Sequence, residues 1–409
     1  MLLRLRSIKV ALVTIFLFLV LRLFSFILIP DRVFDYIEIF LIFIIFVFIL
    51  IAKGGKPHRE FSAYVNGIIF LTLLSSVSAY LYHEQGFLPS LIASRIIFFW
   101  LFYYVLYKID INKEDLIKIL LFIGTIWALI MIYQQFSPNV LFNLHATEVD
   151  DSGDLVFRVE RGIKRIYLPG TEFGLFMLFY SWEKIYKKLN LLYFILFILA
   201  LAGLFLTDSR QIIFCVLAIL LFSFLFRFSF YDKKKVQFLF LFLVIAVVLF
   251  AISGDYLLNL ISLTQEQKSS NSFVRDTAIK FYLFEYYPSS LCYIIGNGWQ
   301  NFYSPYGHEV AKTLEDSLGY FRADIGLIGA LNKFGAIYVI FVLRIYYQMI
   351  FKRKKLYIPA YVRELFIACF ITSFTGENYF EVSYTFLVFV CMFYIIDKEN
   401  KLLQNFKKQ

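Results

Sequence analysis

Two arginines, Arg210 and Arg275, have the residue type and the setting that binding of a diphosphate requires. Arg210 ends the tetrapeptide Thr207-Asp208-Ser209-Arg210, which joins two apolar runs with little room to turn. Its planar guanidinium has five donors and can bind a diphosphate in a bidentate manner. Snorkelling of the side chain to lipid headgroups, which only anchors a helix end, explains the same position. Arg275 offers a second phosphate contact, or is an exposed loop arginine.

The segment 276–287, which follows Arg275, is compatible with a helix. Asp276 and Lys280 are four residues apart, most of the other residues are apolar, and Pro288 follows directly. Such a helix is expected to lie in the membrane interface. Arg275 would then lie at its N-terminal end, close to the headgroups.

Polar residues of the same stretch are candidates for acid–base chemistry and for substrate binding. Asp324 is the first candidate for accepting a proton from a sugar hydroxyl, and a helix N-cap is its structural alternative. His308 and Asp316 are alternative bases, or else solvated loop residues. Arg322 is a candidate for substrate binding. The turn Gly296-Asn297-Gly298 could present backbone amides to an anion.

Further charged residues lie next to or inside apolar runs. A basic cluster precedes the sixth run and comprises Arg158, Arg161, Lys164 and Arg165. Arg165, nearest the membrane, is the candidate for binding an anionic substrate, and salt bridges with the acidic residues of 148–154 are the alternative. Glu172 and Lys333 each lie a few residues inside an apolar run. Such residues face a polar cavity or pair with each other.

The elements that must position these residues are membrane helices. Hydrophobic residues make up 60% of the 409, and the mean hydropathy is +0.72, which predicts an all-α, polytopic integral membrane protein. The whole chain, 1–409, is expected to form a single transmembrane domain. Twelve spanning segments are predicted, at 9–29, 35–52, 62–80, 90–107, 116–134, 166–181, 190–207, 211–230, 236–253, 325–349, 358–374 and 379–396.

The positions of Lys and Arg predict the orientation of these segments. Basic clusters alternate with acidic or neutral connections so that both termini are cytoplasmic. Two larger loops, 135–165 and 254–324, then fall outside. The net charge of +10 follows from the same rule, so we expect no nucleic-acid partner. The four cysteines lack the spacing of a zinc site or a disulfide framework, and we expect neither a metal nor another cofactor.

In its predicted architecture, with twelve helices, both ends inside and a large late external loop, most of the chain resembles the O-antigen polymerase and ligase superfamily of bacterial envelope proteins. The motifs that carry the resemblance lie between about Leu204 and Gly335. Members tend to have a Thr-x-Ser-Arg stretch between two helices, and an arginine that leads an amphipathic helix ending near a proline and a Gly-x-Gly. A Gly-x-x-Gly follows at the next helix entry. The matching residues are Thr207 to Arg210, Arg275, Pro288, Gly296 to Gly298, Gly326 and Gly329.

The resemblance implies a metal-independent glycosyl transfer at the outer leaflet of the bacterial cytoplasmic membrane. The substrates would be oligosaccharides linked to undecaprenyl diphosphate, and the growing chain would pass to the non-reducing sugar of a new repeat unit. Arg210, Arg275 and Asp324 would act in catalysis, and Arg165, Glu172, Arg322, His308 and Asp316 would contact substrate. Membrane lipids, a chain-length regulator and a flippase are the other expected partners.

One departure from the superfamily pattern bears on the reaction. Ligases resemble one another in a His-Asn pair about eleven residues before the Gly-x-x-Gly, and here Glu315 and Asp316 take that place, while His308 lies upstream. The departure favours a polymerase. A ligase that delivers glycan to lipid A core or protein is the second hypothesis. A flippase for lipid-linked oligosaccharides, which is not an enzyme, is the third.

Overall fold

The computed structural model describes most of the chain. The described residues are 2–55, 59–143, 166–207, 209–227, 274–351, 356–374 and 378–406, with the short pieces 148–149, 155–156, 159–160, 163–164 and Gly376. Helices form most of this part of the chain.

The first part of the chain forms short and long helices. They are α1 (Leu2–Val20), α2 (Asp31–Ile51), α3 (Arg59–Tyr82), α4 (Phe87–Ala93), a 3-10 helix (Arg95–Leu101), α5 (Phe102–Ile109) and α6 (Lys113–Phe136). Four strands of two residues follow, and they pair as two antiparallel hairpins: β1 (Glu148–Val149) with β2 (Leu155–Val156), and β3 (Val159–Glu160) with β4 (Ile163–Lys164). The next helices are α7 (Thr171–Lys187), α8 (Leu191–Phe205) and α9 (Arg210–Arg227).

The loop 254–324, which we call the late loop, contributes several short helices before the last long helices of the chain. Helix α10 covers residues 274–280 and continues as a π-helical turn, Phe281–Glu285. The remaining elements are α11 (Ser290–Ile295), α12 (Pro305–His308) with a π-helical continuation (Glu309–Ser317), a 3-10 helix (Arg322–Ile325), α13 (Gly326–Phe351), α14 (Ala360–Thr372) and α15 (Ser383–Phe406). The helix predicted at 276–287 is present and ends before Tyr286.

Four helices are long and apolar enough to cross a membrane, and a bent pair makes a fifth. They cover Asp31–Ile51, Phe61–Tyr82, Lys113–Phe136 and Arg322–Phe351, and the bent pair is Phe87–Ala93 with Arg95–Ile109. The described chain is therefore that of a largely α-helical membrane protein. Helices also lie over the other predicted segments except the ninth, 236–253, which lies outside the described residues. The count of twelve and the orientation stay predictions.

The first predicted span, 9–29, is shorter in the structure because α1 ends at Val20. Arg22 to Ser25 then have left-handed backbone angles, with φ between 48° and 60°. The Nη2 of Arg22 donates to Oε1 of the buried Glu38 at 2.8 Å. A guanidinium needs such a partner away from water, so the chain turns at Arg22 towards the carboxylates of α2.

The fourth predicted span, 90–107, is bent by 60° between α4 and the 3-10 helix. The hydroxyl of Ser94 donates to the carbonyl oxygen of Ser90 at 2.8 Å, and Arg95 donates to the carbonyl oxygen of Ile92 at 3.1 Å. Side chains that bond to the backbone in this way compete with the helical hydrogen bonds and bend the chain. The span is therefore broken rather than continuous.

Helix α13 is also broken, at Gly335, where φ is 81°. The turn from Gly296 to Gly298 lies across the break. The amide of Asn297 donates to the carbonyl oxygen of Asn332 at 2.8 Å, and the amide of Gly298 donates to the carbonyl oxygen of Lys333 at 2.8 Å. A Cβ on Gly296 would lie 2.2 Å from the Lys333 oxygen, and one on Gly335 would lie 2.3 Å from the Ile294 oxygen. Glycine is therefore required on both sides of this crossing, which fixes the late loop on α13.

The main core lies where α6, α7 and α8 pack together and where α14 packs on α7, α9 and α13. Trp127 of α6 is fully buried there. A Cβ on Gly174 would lie 2.5 Å from its ring, and one on Gly203 would lie 2.8 Å from it. Small residues at these points let three helices approach closely, as is common in membrane helix packing.

We expect Gly335→Ala to destabilise the protein, because its φ of 81° and ψ of 174° are essentially restricted to glycine. Such a conformation costs roughly 1–3 kcal/mol, and the new Cβ would meet the Ile294 carbonyl. The midpoint of thermal unfolding in detergent should fall by several degrees. Gly55→Ala is the matched control, since the nearest atom to a Cβ there is 3.8 Å away. Equal midpoints for the two variants would contradict the close crossing.

Candidate functional site

Helices of the late loop surround Arg322, whose side chain is buried at 1% exposure. The rings of Tyr282, Tyr286 and Tyr306 lie with their centroids 5.4, 5.4 and 5.6 Å from its guanidinium carbon. These distances are those of cation–π contacts. We refer to the three rings as the tyrosine cage.

Local structure explains how the cage forms. Tyr282 lies in the π-helical turn at the end of α10, and Tyr286 is the C-cap residue that directly follows it, four residues further on. Tyr306 follows Pro305 in the first turn of α12, which Ser304 caps by accepting the amide of Gly307 at 3.0 Å. The start of α13 reaches the cage as well, since a Cβ on Gly329 would lie 2.0 Å from the Arg322 carbonyl oxygen.

The guanidinium of Arg322 is only partly satisfied by the protein. Its Nη1 donates to the Tyr306 hydroxyl at 3.1 Å and to Oε1 of Gln300 at 3.3 Å. Among the described residues, its buried Nε and Nη2 have no hydrogen-bond partner within normal geometry, and Arg322 forms no ion pair. A buried charge costs several kcal/mol, and each unpaired donor costs about 1–3 kcal/mol. The arrangement can accept an anionic ligand at the two unpaired nitrogens.

His83 lies just beyond the end of α3 and packs against the same cage. Its ring stacks on Tyr306 with centroids 4.1 Å apart, and it lies 5.9 Å from the ring of Tyr286. Its Nε2 is 3.2 Å from Oδ1 of Asn297. Burial lowers the pKa of His83, and the charge of Arg322 lowers it further, against opposing contributions from Asn297 and Glu309. His83 is therefore held neutral beside a permanent cation.

The tyrosines supply no negative charge to Arg322. Burial raises the pKa of Tyr282 to about 12, although the Arg322 charge opposes this shift. Burial also raises the pKa of Tyr286 and of Tyr306. All three phenols are neutral at physiological pH, so they do not neutralise the guanidinium, whose donors suit phosphate oxygens. The carboxylates of Glu309 and Glu315 interact with residues of the same site.

A second charged group lies next to the cage on α13. The Nζ of Lys333 donates to Oε2 of Glu381 at 2.6 Å, and Asn378 donates to the other carboxylate oxygen at 3.0 Å. Lys333 also lies 5.6 Å from the ring of Trp299. The predicted alternative that Lys333 pairs with Glu172 is therefore wrong. The physical reason is that Lys333 is paired with Glu381, which enters with the loop before α15.

The loop 373–381 gathers the ends of several helices. The amide of Leu327 donates to the carbonyl oxygen of Ser373 at 2.9 Å, which ties the start of α13 to it. A Cβ on Gly376 would lie 3.4 Å from Oε1 of Gln211, the second residue of α9. Glu172 interacts electrostatically with Tyr379. The loop 373–381 therefore lies close to the N-terminal ends of three helices, α7, α9 and α13.

The predicted site residues fall into different places. Arg322 lies at the centre of the cage, and the buried Glu172 lies at the loop 373–381. Arg210 is the partly buried first residue of α9, and the side chain of its neighbour Gln211 lies beside the same loop. Arg275 is exposed near the start of α10. Arg165 lies outside the described residues.

The three predicted bases lie at the surface. His308 is exposed, and its nearest described ring partner is Phe302 at 6.0 Å. Asp316 and Asp324 are also exposed. Asp324 lies within the 3-10 helix, whose N-cap residue is Phe321, so its predicted N-cap role is wrong. The pKa of Glu315 is raised, mainly by burial, and the charges of Asp316 and Asp324 raise it further. The charges of Arg322 and Lys333 oppose this shift.

The predicted use of the Gly296-Asn297-Gly298 turn is also wrong. Its three amides donate to the carbonyl oxygens of Cys292, Asn332 and Lys333 and so are not available to an anion. The acceptors at 332 and 333 exist because the helix is broken downstream of them.

The residues that the sequence-based predictions missed are His83, the cage tyrosines and Glu381. Two signals could have found some of them. Tyr282 and Tyr286 share one face of a predicted interfacial helix, and Glu381 is a charge at the entry of an apolar run, like Lys333. The described residues contain no group of three His, Cys, Asp or Glu side chains that could hold a metal ion.

Comparison with protein-family models, with curated proteins and with solved structures finds no match to this chain.

We expect Lys333→Met to destabilise the protein by roughly 3–5 kcal/mol, because it leaves the Glu381 carboxylate buried and unpaired. The double variant Lys333→Met, Glu381→Met should recover much of this loss. Lys187→Met is the control, since Lys187 bonds Glu183 at 2.5 Å but is 58% exposed, where a pair is worth roughly 0–1 kcal/mol. Denaturant unfolding in detergent measures all three, and equal losses for the two single variants would refute a buried pair.

The lowered pKa of His83 predicts a pH dependence of stability. The folded pKa lies below the ordinary 6.5, so the unfolded chain binds the proton more tightly, and the contribution to stability is complete above 6.5 and is lost as the pH falls below it. Between about pH 7 and about pH 5, the unfolding midpoint of the wild type should fall more steeply than that of His83→Gln. Parallel curves would show that His83 titrates normally.

Proposed function

We propose that this protein polymerises oligosaccharide repeat units that are linked to undecaprenyl diphosphate, and that it acts at the outer leaflet of the bacterial cytoplasmic membrane. The products would be O-antigen or capsular polysaccharide. The observation that carries the proposal is the buried guanidinium of Arg322, which has two unpaired nitrogens and no carboxylate partner among the described residues.

The chemistry of the leaving group supports this assignment. Transfer of a glycan from a lipid diphosphate develops negative charge on the diphosphate oxygens, and fixed donors aimed at that charge lower the barrier. A guanidinium in a low-dielectric site is suited to this role because its charge is permanent and its planar fork contacts two oxygens. The energy for the transfer is already stored in the diphosphate link, so no nucleotide site is required.

The position of the cage also fits a lipid-linked substrate. Arg322 begins the apolar stretch Arg322–Phe351, which is long enough to cross a membrane. Large apolar side chains of the late loop are exposed nearby in sequence, among them Phe284, Phe302 and Tyr303 at 71%, 62% and 84%. Such side chains suit the boundary between headgroups and acyl chains. A diphosphate attached to an isoprenoid tail would lie at that boundary.

The test replaces Arg322 in the native host. A strain that lacks the gene is complemented with wild type, Arg322→Ala, Arg322→Lys or Arg344→Lys, and surface polysaccharide is separated on a gel. Arg322→Ala should leave single repeat units on the acceptor lipid, because loss of one charge-stabilising group costs roughly 10²–10³ in rate. Arg322→Lys should retain a weak ladder, since lysine keeps the charge without the fork.

Arg344 is the control because it is an exposed arginine on the same helix, and Arg344→Lys should keep the full ladder. An unchanged ladder in Arg322→Ala would refute the site. Complete absence of surface glycan in the deletion strain, with no single repeat unit, would replace the polymerase by a ligase or a flippase.

A further inference from the structure

The hydrogen bonds around Asn297 determine which nitrogen of His83 carries the proton. The Nδ2 of Asn297 donates to the carbonyl oxygen of Tyr286 at 2.8 Å, and a carbonyl can only accept. The other side-chain atom of Asn297, which lies 3.2 Å from Nε2 of His83, is therefore the oxygen. Since this oxygen must receive a hydrogen, the neutral ring is protonated at Nε2. Its Nδ1 then has a free lone pair.

This lone pair is available at neutral pH. Burial and the charge of Arg322 both disfavour the imidazolium, and together they outweigh Glu309 and Asn297, so the pKa of His83 is lowered. The rings of Tyr286 and Tyr306 that pack on His83 are neutral phenols, since burial raises the pKa of each. The ring is thus a neutral acceptor placed beside a cation.

The ring is also held in a fixed orientation and is reachable. Stacking on Tyr306 and the bond to Asn297 fix it from two directions. Among the described residues, the bond to Asn297 is the hydrogen bond that the ring makes, and the side chain is only half-buried. A hydroxyl of a ligand can therefore approach Nδ1.

We propose that His83 is a catalytic residue whose Nδ1 accepts the proton of the acceptor sugar's hydroxyl while Arg322 holds the diphosphate of the donor. This inference rests on the proposed function. The hydroxyl oxygen forms a bond to the anomeric carbon of the donor, and the bond from that carbon to the diphosphate oxygen breaks. The electron pair leaves with the diphosphate, and His83 passes its proton to water.

The geometry favours His83 over the carboxylates and the histidine that the sequence indicated. Asp316, Asp324 and His308 are exposed and make no described contact with the tyrosine cage. His83 and Arg322 instead pack on the same rings, those of Tyr286 and Tyr306. A base and a leaving-group site must be adjacent for a transfer in which bond formation and bond cleavage are coupled.

The experiment measures glycan transfer by the full-length protein in lipid nanodiscs. The substrate is the lipid-linked repeat unit extracted from a strain that lacks the gene. His83→Gln should lower kcat by roughly 10²–10⁴-fold, the usual contribution of a general base, with little change in KM. Added imidazole should restore part of the rate of His83→Ala. The wild-type rate should fall at acid pH as His83 becomes protonated, and this limb should be absent in His83→Gln.

Glu84→Gln is the matched control, because Glu84 is the exposed neighbour of His83 and its substitution should leave the rate unchanged. A wild-type rate for His83→Gln would overturn the role of His83. So would a lost rate that imidazole does not restore, or an acid limb that persists in His83→Gln. A wild-type protein that makes no polymer from this substrate would overturn the proposed function itself, and the inference with it.

Discussion

The close backbone crossing between the turn at Gly296 to Gly298 and the broken helix α13 is the constraint on which the rest of the site depends. The backbone amides of Asn297 and Gly298 donate hydrogen bonds to the carbonyl oxygens of Asn332 and Lys333. Docked in this way, the turn directs the side chain of Asn297 towards Tyr286 and His83. The side chain of Asn332 donates to the carbonyl oxygens of Tyr282 and Tyr286. One backbone contact therefore positions both the cage and the histidine.

The energetics of Arg322 explain why the cage is unlike an ordinary structural arginine site. A desolvated cation–π contact contributes roughly 2 kcal/mol or more, so three rings offset much of the several kcal/mol that burial of the charge costs. Among the described residues, no acceptor lies within hydrogen-bonding geometry of Nε or Nη2. By contrast, the other strongly buried cation of this region, Lys333, has a carboxylate partner at 2.6 Å. The protein thus pairs one cation with its own carboxylate and leaves the other without an ion pair among the described residues.

Much of the fold could be predicted from the sequence, because the length and spacing of apolar runs are local properties. The Gly-x-x-Gly at Gly326 and Gly329 lies at a close backbone approach, since a Cβ on Gly326 would lie 1.9 Å from the Ser373 oxygen. Arg322 was a candidate from its residue type. Its burial could not be predicted, since Tyr282 and Tyr306 reach it only through tertiary packing.

The sequence separations show why the rest of the site was missed. His83 and Asn297 are 214 residues apart, and Lys333 and Glu381 are 48 apart. No spacing rule connects such pairs. The turn at 296–298 was misinterpreted for a related reason: whether its amides are free depends on carbonyl oxygens that only the break in α13 exposes. In an apolar run, a single glycine at 335 is a weak sign of such a break.

The break in α13 also bears on the choice between transfer and transport. Discontinuous membrane helices are typical of transporters, where freed carbonyl oxygens coordinate an ion at the middle of the membrane. Here the carbonyl oxygens of Asn332 and Lys333 are already bonded to the amides of the late loop, and the Lys333 ammonium is paired with Glu381. The break therefore docks the late loop onto α13. Such docking provides a fixed site at one end of the helix, which suits a group transfer better than alternating access.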